Sequence, residues 1–428
     1  MKAETRLPFA FLCSVPFVMV LSNSMLIPVL PAMQDALNLT LFKVGIIITA
    51  FSIPAGLVIP VGGYLSDRFG RKRVITPALI IFGLGGLIAG LAPFLLGRRL
   101  QYPVILLGRV LQGLGAGGTY QVAMALTGDI FQSKERSRAL GLLEAANGLG
   151  KIASPIIGSA VALLHWFAPF FVYPLLSVPS ALSVWFIVPE PGTRGGSSKT
   201  QPGKKTSPAK TPGGKQNLGS YLKAVYRVFA RKGVPLLASF LAGMVVLFLL
   251  FGVLSWYSDV LERDYHVKGV LKGLVIALPV TAMAVTSYIS GTVLEKQLAR
   301  LSKLTVVVGM ALIAVAGVGL FSFRGIYLIS GVIILLGVGN GLVLPAINTL
   351  ITSAAEMKQR GIVTSLYGSV RFFGAALGPP AFGAVLPFGK GAVFLGSAGL
   401  AGLSSLIAFL FINQNVLLPK QLRQGKKT

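Results

Sequence analysis

Long apolar runs separated by short polar breaks dominate the chain. They fall at 7–33, 42–64, 74–97, 102–128, 138–163 and 167–188, then at 233–258, 270–294, 304–323, 325–352, 361–387 and 390–414. A hydrocarbon core about 30 Å thick needs roughly 20 apolar residues per helical crossing, so each run is long enough to span. The pattern predicts an all-α integral membrane protein with twelve transmembrane helices as two six-helix bundles. It divides the chain into a first bundle over 1–188, a linker over 189–232, a second bundle over 233–414 and a tail over 415–428. The first run is longer than the 7–15 residues of a signal-peptide core and is followed by further spans, so it reads as a retained helix.

Charge orients these helices. Only 12% of the 428 residues are charged and 54% are hydrophobic, whereas a soluble chain carries about a quarter charged residues. Lys and Arg outnumber Asp and Glu by 39 to 12, giving +27. In a soluble protein that excess suggests nucleic acid. Here the cations cluster in every second connection: Arg68, Arg71, Lys72 and Arg73; Lys134, Arg136 and Arg138; Lys296 to Lys303; Lys358 and Arg360. The positive-inside bias then places these loops and both termini in the cytoplasm, with Arg98 and Arg99 an exception on the opposite side. The expected setting is the cell membrane of a bacterium, as a multi-pass protein and a monomer, with no nucleic-acid partner.

The linker is rich in Pro, Gly, Ser, Thr and Lys over 191–214, a composition that cannot bury a core. With Lys223, Arg227, Arg231 and Lys232 it reads as a basic tether drawn to anionic lipid headgroups. Cys13 stands alone, which excludes a disulfide framework. His165 and His266 show no metal-site spacing. The glycine run at 113–118 lacks the preceding strand of a nucleotide site, so neither metal nor cofactor is expected and an ion gradient must supply the energy.

Three motifs stand out. After the second span come Gly63, Asp67, Arg68, Gly70, Arg71 and Lys72, with a degraded copy after the eighth in Gly291, Glu295 and Lys296. The fourth span holds Arg109, Gln112, Gly113, Ala116 and Tyr120 on one helical face. An arginine so deep normally faces a cavity or a partner; the alternative is snorkelling to the outer interface. The fifth span carries a small-residue stripe of Gly150, Ser154 and Gly158 beside Pro155, echoed in the eleventh by Gly374, Gly378 and Pro379. Such stripes let helices pack closely.

With these motifs the chain resembles the major facilitator superfamily, and within it the twelve-helix drug:proton antiporter branch. The resemblance implies alternating access around a central cavity lined mainly by helices 1, 4, 7 and 10. It also implies that Asp67 and Arg71 help latch the halves in the outward-open state, and that the Pro155 motif marks an exporter. The sequence departs from many drug-exporting relatives in carrying Asn23, not an acid, in the first span.

A second face of the fifth span is polar: Glu144, Asn147, Gly148 and Lys151 recur at helical spacing. Each charge at mid-bilayer costs about 2.5–3.5 kcal/mol on insertion scales. Glu144 fits a proton-coupling carboxylate, a static ion-pair partner or a direct substrate contact. Lys151 and Arg371, on the eleventh span, fit an anionic substrate group or neutralise protein carboxylates. Asn23, Gln112, Tyr120, Asn147, Asn340 and Asn348 complete the candidate cavity, while Asp35 and Asp129 near span ends read as solvated. The leading expectation is proton-coupled export of a small amphipathic drug or metabolite. Proton-driven import of an organic anion and lipid flipping stand as alternatives.

Overall fold

A computed structural model describes residues 3–131, 133–189, 218–354 and 360–418. Most of the predicted linker, Lys358 and the basic tail beyond 418 lie outside the described residues. So do the side chains of Lys134, Lys223, Arg227, Arg231, Glu295, Lys296, Arg300 and Arg360.

The described chain is helical. The first run forms α1 (Ala3–Ser24), a 3-10 turn (Ile27–Val29) at Pro28, and α2 (Leu30–Leu37), which ends on Asn38 in the left-handed region. Thr40 caps α3 (Leu41–Phe69) by accepting from the Lys43 amide. Gly70, at φ +102°, makes the tight reversal into α4 (Arg71–Leu95). There follow α5 (Arg98–Ala116), α6 (Thr119–Ile130), α7 (Ser133–Ala162) and α8 (Pro169–Phe186). The second half comprises α9 (Leu218–Arg263), α10 (Gly269–Ser322), α11 (Ile326–Ala354), α12 (Arg360–Val385), α13 (Lys390–Phe411) and the short α14 (Gln414–Leu417).

By length and apolarity alone, ten helical segments among the described residues can cross a membrane. The two predicted runs outside that set are the most polar. Gly117 and Gly118, the latter at φ +81°, split the run at 102–128 into α5, which carries three arginines, and α6, of only 12 residues. The run at 138–163 is α7, which holds Glu144 and Lys151. The residues that depress hydropathy here are the candidate functional ones.

The predicted eighth and ninth spans are the two arms of α10, Gly269–Val293 and Leu301–Ser322. Helix α11 packs on both: a side chain at Gly337 would collide with Pro279, and one at Gly339 with Gly309. Thirty residues of straight helix would hold those two points about 45 Å apart. The chain therefore folds back between the arms.

Packing repeats between the halves. In the first, α4 packs on α5 and α8, α1 on α7, and α3 on α5; in the second, the corresponding helices α10, α11, α12, α13 and α9 make the matching pairs. Buried side chains group into one core between Phe9 and Val188 and another between Leu236 and Leu418, which Ile27 joins. The halves meet through α3 with α12 and α7 with α10. Large apolar side chains such as Leu164, Phe186 and Tyr327 stand exposed on the outside, a surface that only lipid can cover.

Candidate functional site

Three polar clusters lie along this two-bundle frame. The first is buried in the first half. Arg109 is fully buried on α5; its Nε donates to the Ile47 carbonyl (3.2 Å), Nη1 to Gln112 Oε1 (2.9 Å) and Nη2 to Asn23 Oδ1 (2.6 Å). Its guanidinium lies over Phe51, 4.5 Å from the ring centroid, and Asn23 Nδ2 donates on to Ser52 Oγ at 2.7 Å. One arginine thereby ties α1, α3 and α5 together through neutral acceptors. The deep-burial reading of Arg109 describes this geometry; the snorkelling one does not. Asn23 and Gln112, expected in the cavity, are packed into this network.

The second cluster spans both halves at mid-membrane. Glu144 is exposed although it lies 11 residues inside α7, about 16 Å from that helix's start. The Tyr120 hydroxyl of α6 donates a hydrogen bond to Glu144 Oε1. Lys151, on the same face of α7, is close enough to feel both Glu144 and Arg371, and Tyr120 likewise feels Arg371. Arg371 belongs to α12; its guanidinium lies 5.5 Å from the Tyr367 ring centroid and its Nε is buried without a hydrogen-bond acceptor. Two cations and one carboxylate, drawn from opposite halves, thus share one polar space flanked by phenol rings. Asn147 is buried one turn from Glu144. Asn340 packs inside the second bundle with its amide on the Leu336 carbonyl, and Asn348 is exposed on α11.

Small-residue stripes set the positions of these charges. A side chain on Gly150 would run into the backbone of Phe17 on α1 and one on Gly158 into that of Met25 just past its end, and Ser154 Oγ donates to the Leu21 carbonyl. In the other half Gly374 and Gly378 press on the backbone of Met244 and Phe248 in α9. The α7 helix runs on through Pro155, where Ser159 Oγ takes up the Pro155 carbonyl at 2.5 Å. With the stripe against α1, the Glu144–Lys151 face turns toward the partner half.

The third cluster is the loop at the end where the basic connections lie, called here the basic end. Arg71 pairs with Asp67 (2.6 Å) and Asp129 (3.3 Å) and donates to Ser66 Oγ (2.6 Å). Lys72 donates to the Val188 carbonyl, and Arg68 lies over Phe69. Gly63 faces the other half, where an added Cβ would come only within 4.0 Å of Ser365 Oγ. Asp129 is exposed, as expected near a span end, and also pairs with Arg71.

The profile of the Major Facilitator Superfamily matches residues 12–379, and a second match covers 302–427. The chain belongs to this superfamily. Among relatives, a bacillibactin exporter of Bacillus subtilis (strain 168) is 40% identical over 402 residues, covering 94% of each chain. Multidrug efflux protein YfmO of the same organism is 27% identical, covering 86% of this chain and 83% of its own. Among solved structures, a bacterial homologue of the human lysosomal transporter Spinster, in an inward-facing and occupied conformation, superposes with a TM-score of 0.76. The two are 14% identical over 98% of this chain and 100% of that one.

In this facilitator the halves are bonded toward the end opposite the basic loops. Thr49 Oγ1 donates to the Ala376 carbonyl (2.6 Å) and Ser258 Oγ to the Ile27 carbonyl (2.8 Å). Gly45 abuts Pro379 and Pro380, and Gly273 abuts Pro155 and Ser159. At the rim, Arg263 bridges Asp35 of the first half and Asp259 of its own helix, both at 2.7 Å, while Lys272 pairs with Glu262 at 2.7 Å. Asp35 is solvent-exposed, as its place near a span end predicts, and Arg263 is its partner. The Asp259–Arg263 spacing of four is visible in the sequence, but nothing local announces a partner 228 residues away.

Proposed function

We propose that this facilitator exports a small amphipathic, hydroxyl-bearing compound in exchange for protons, with Glu144 as the coupling carboxylate and the basic end in the cytoplasm. The observation that carries the reading is the Tyr120–Glu144 hydrogen bond beside Lys151 and Arg371. A phenol already donates to the Glu144 carboxyl group, so a substrate hydroxyl can take the same place while the two cations hold its acceptor oxygens. Protonating Glu144 removes its charge and leaves only a weaker carbonyl acceptor. Proton and substrate then compete, which is the thermodynamic requirement for antiport. The full-length similarity to a bacillibactin exporter supports the outward direction. With the far end closed, the described state is the one that loads from the cytoplasm.

Lys151 and Arg371 also support a second reading, import of an organic anion. There the sign reverses: protonating Glu144 leaves the two cations unopposed, and anion and proton bind together. Substrate affinity of the purified protein, measured against pH, separates the two. Under antiport, affinity falls as pH is lowered, and Glu144→Gln abolishes that dependence. In inside-out vesicles, substrate should also dissipate a proton gradient in wild type and not in the variant. Affinity that rises on acidification favours import, and undiminished coupling in Glu144→Gln removes the carboxylate from the mechanism.

A further inference from the structure

Away from the central charges, the second arm of α10 and α13 enclose an apolar groove of about 500 Å³ on the lipid-facing side of the second bundle. Val307, Ala311 and Val315 form one wall, and Gly402, Leu406 and Phe409 the other. Val315, Leu406 and Phe409 are more than half exposed, so within a bilayer the groove opens to acyl chains. Small residues make it concave: a Cβ added at Gly402 would meet nothing within 4 Å. At its basic-end mouth stands Lys303, whose ammonium lies 4.8 Å from the Phe409 ring centroid. Among the described residues Lys303 forms no ion pair.

We propose that this groove is a binding site for an anionic phospholipid of the leaflet at the basic end, with one acyl chain in the groove and the phosphate on Lys303. Length supports the assignment. Lys303 and Val315 are 12 residues apart, about 18 Å of helix, against roughly 15 Å for the hydrocarbon of one leaflet. Charge supports it equally. An ammonium snorkelling at the interface, steadied by an aromatic ring, attracts a lipid phosphate. One such lysine near an anionic surface favours an acidic headgroup about fivefold.

Native mass spectrometry of the full chain, titrated with phosphatidylglycerol or phosphatidylcholine, tests the site. Wild type should retain one phosphatidylglycerol about fivefold more tightly than phosphatidylcholine. Lys303→Gln should erase the preference while leaving chain binding intact. Gly402→Phe fills the groove and should lose both adducts; Gly402→Leu serves as the milder filler should the larger ring impair folding. Gly396→Phe, at an exposed position elsewhere on α13 with equally open space, should keep them. Equal retention of the two lipids by wild type, or an adduct that survives both Gly402 variants, overturns the proposal. So does a dimer that Gly402→Phe dissolves, since the groove would then seat a second copy of the chain.

Discussion

At the scale of single residues, Arg109 shows how a membrane interior holds a cation without a counter-charge. Its three hydrogen bonds end on a backbone carbonyl and two side-chain amides, and Phe51 adds the face of its ring. Asn23 is a neutral acceptor, so no proton is needed to settle this network. Arg109→Lys keeps the charge but loses the planar fork that serves three acceptors at once. The expected loss is about 1–3 kcal/mol, read as a lowered unfolding midpoint in detergent. In a double-mutant cycle with Asn23→Ala the two losses should be less than additive, because both break the same bond. The sequence made Arg109 conspicuous by its depth; its partners on α1 and α3 lie 86 and 62 residues away and carry no local signal.

At the scale of elements, α7 divides its faces by what each can touch. The stripe of Gly150, Ser154 and Gly158 admits the α1 backbone, while Gly148, on the polar face, has nothing within 4 Å of an added Cβ. Gly158→Ala would drive its methyl into the Met25 carbonyl oxygen, and overpacking of this kind costs about 1–3 kcal/mol. Gly148→Ala should leave stability unchanged within about 0.5 kcal/mol. Unfolding midpoints of the two variants, measured side by side, check the contrast; equal effects would mean that α7 is rotated from the orientation described. Both faces were legible in the spacing of residues. Which neighbour each face meets was not, because a helical wheel fixes angles on one helix and says nothing of the next.

At the scale of the whole molecule, two bundles meet with their far ends bonded, and among the described residues Arg263–Asp35 is an ion pair that crosses between them there. Both side chains are substantially exposed, and such pairs are worth about 0.2–1 kcal/mol. Arg263→Asp should therefore shift the balance toward the state open at the far end by up to about fivefold, and Asp35→Arg combined with Arg263→Asp should restore it. Labelling of a cysteine placed at Ser258, in a Cys13→Ser background, by a membrane-impermeant maleimide reports the shift. Unchanged labelling in the single variant would deny the pair any gating role. The sequence by itself determined the membrane class, the helical runs, the paired halves and the family, because hydropathy over roughly 20 residues and short motif spacings are local properties. It also marked Glu144, Lys151 and Arg371 as too costly to be idle. Only the tertiary structure decided that Tyr120 bonds to Glu144, that Asn23 serves Arg109, and that Asp35 meets Arg263. Those pairings join different helices across 24, 86 and 228 residues, and which side chains meet depends on how the helices pack.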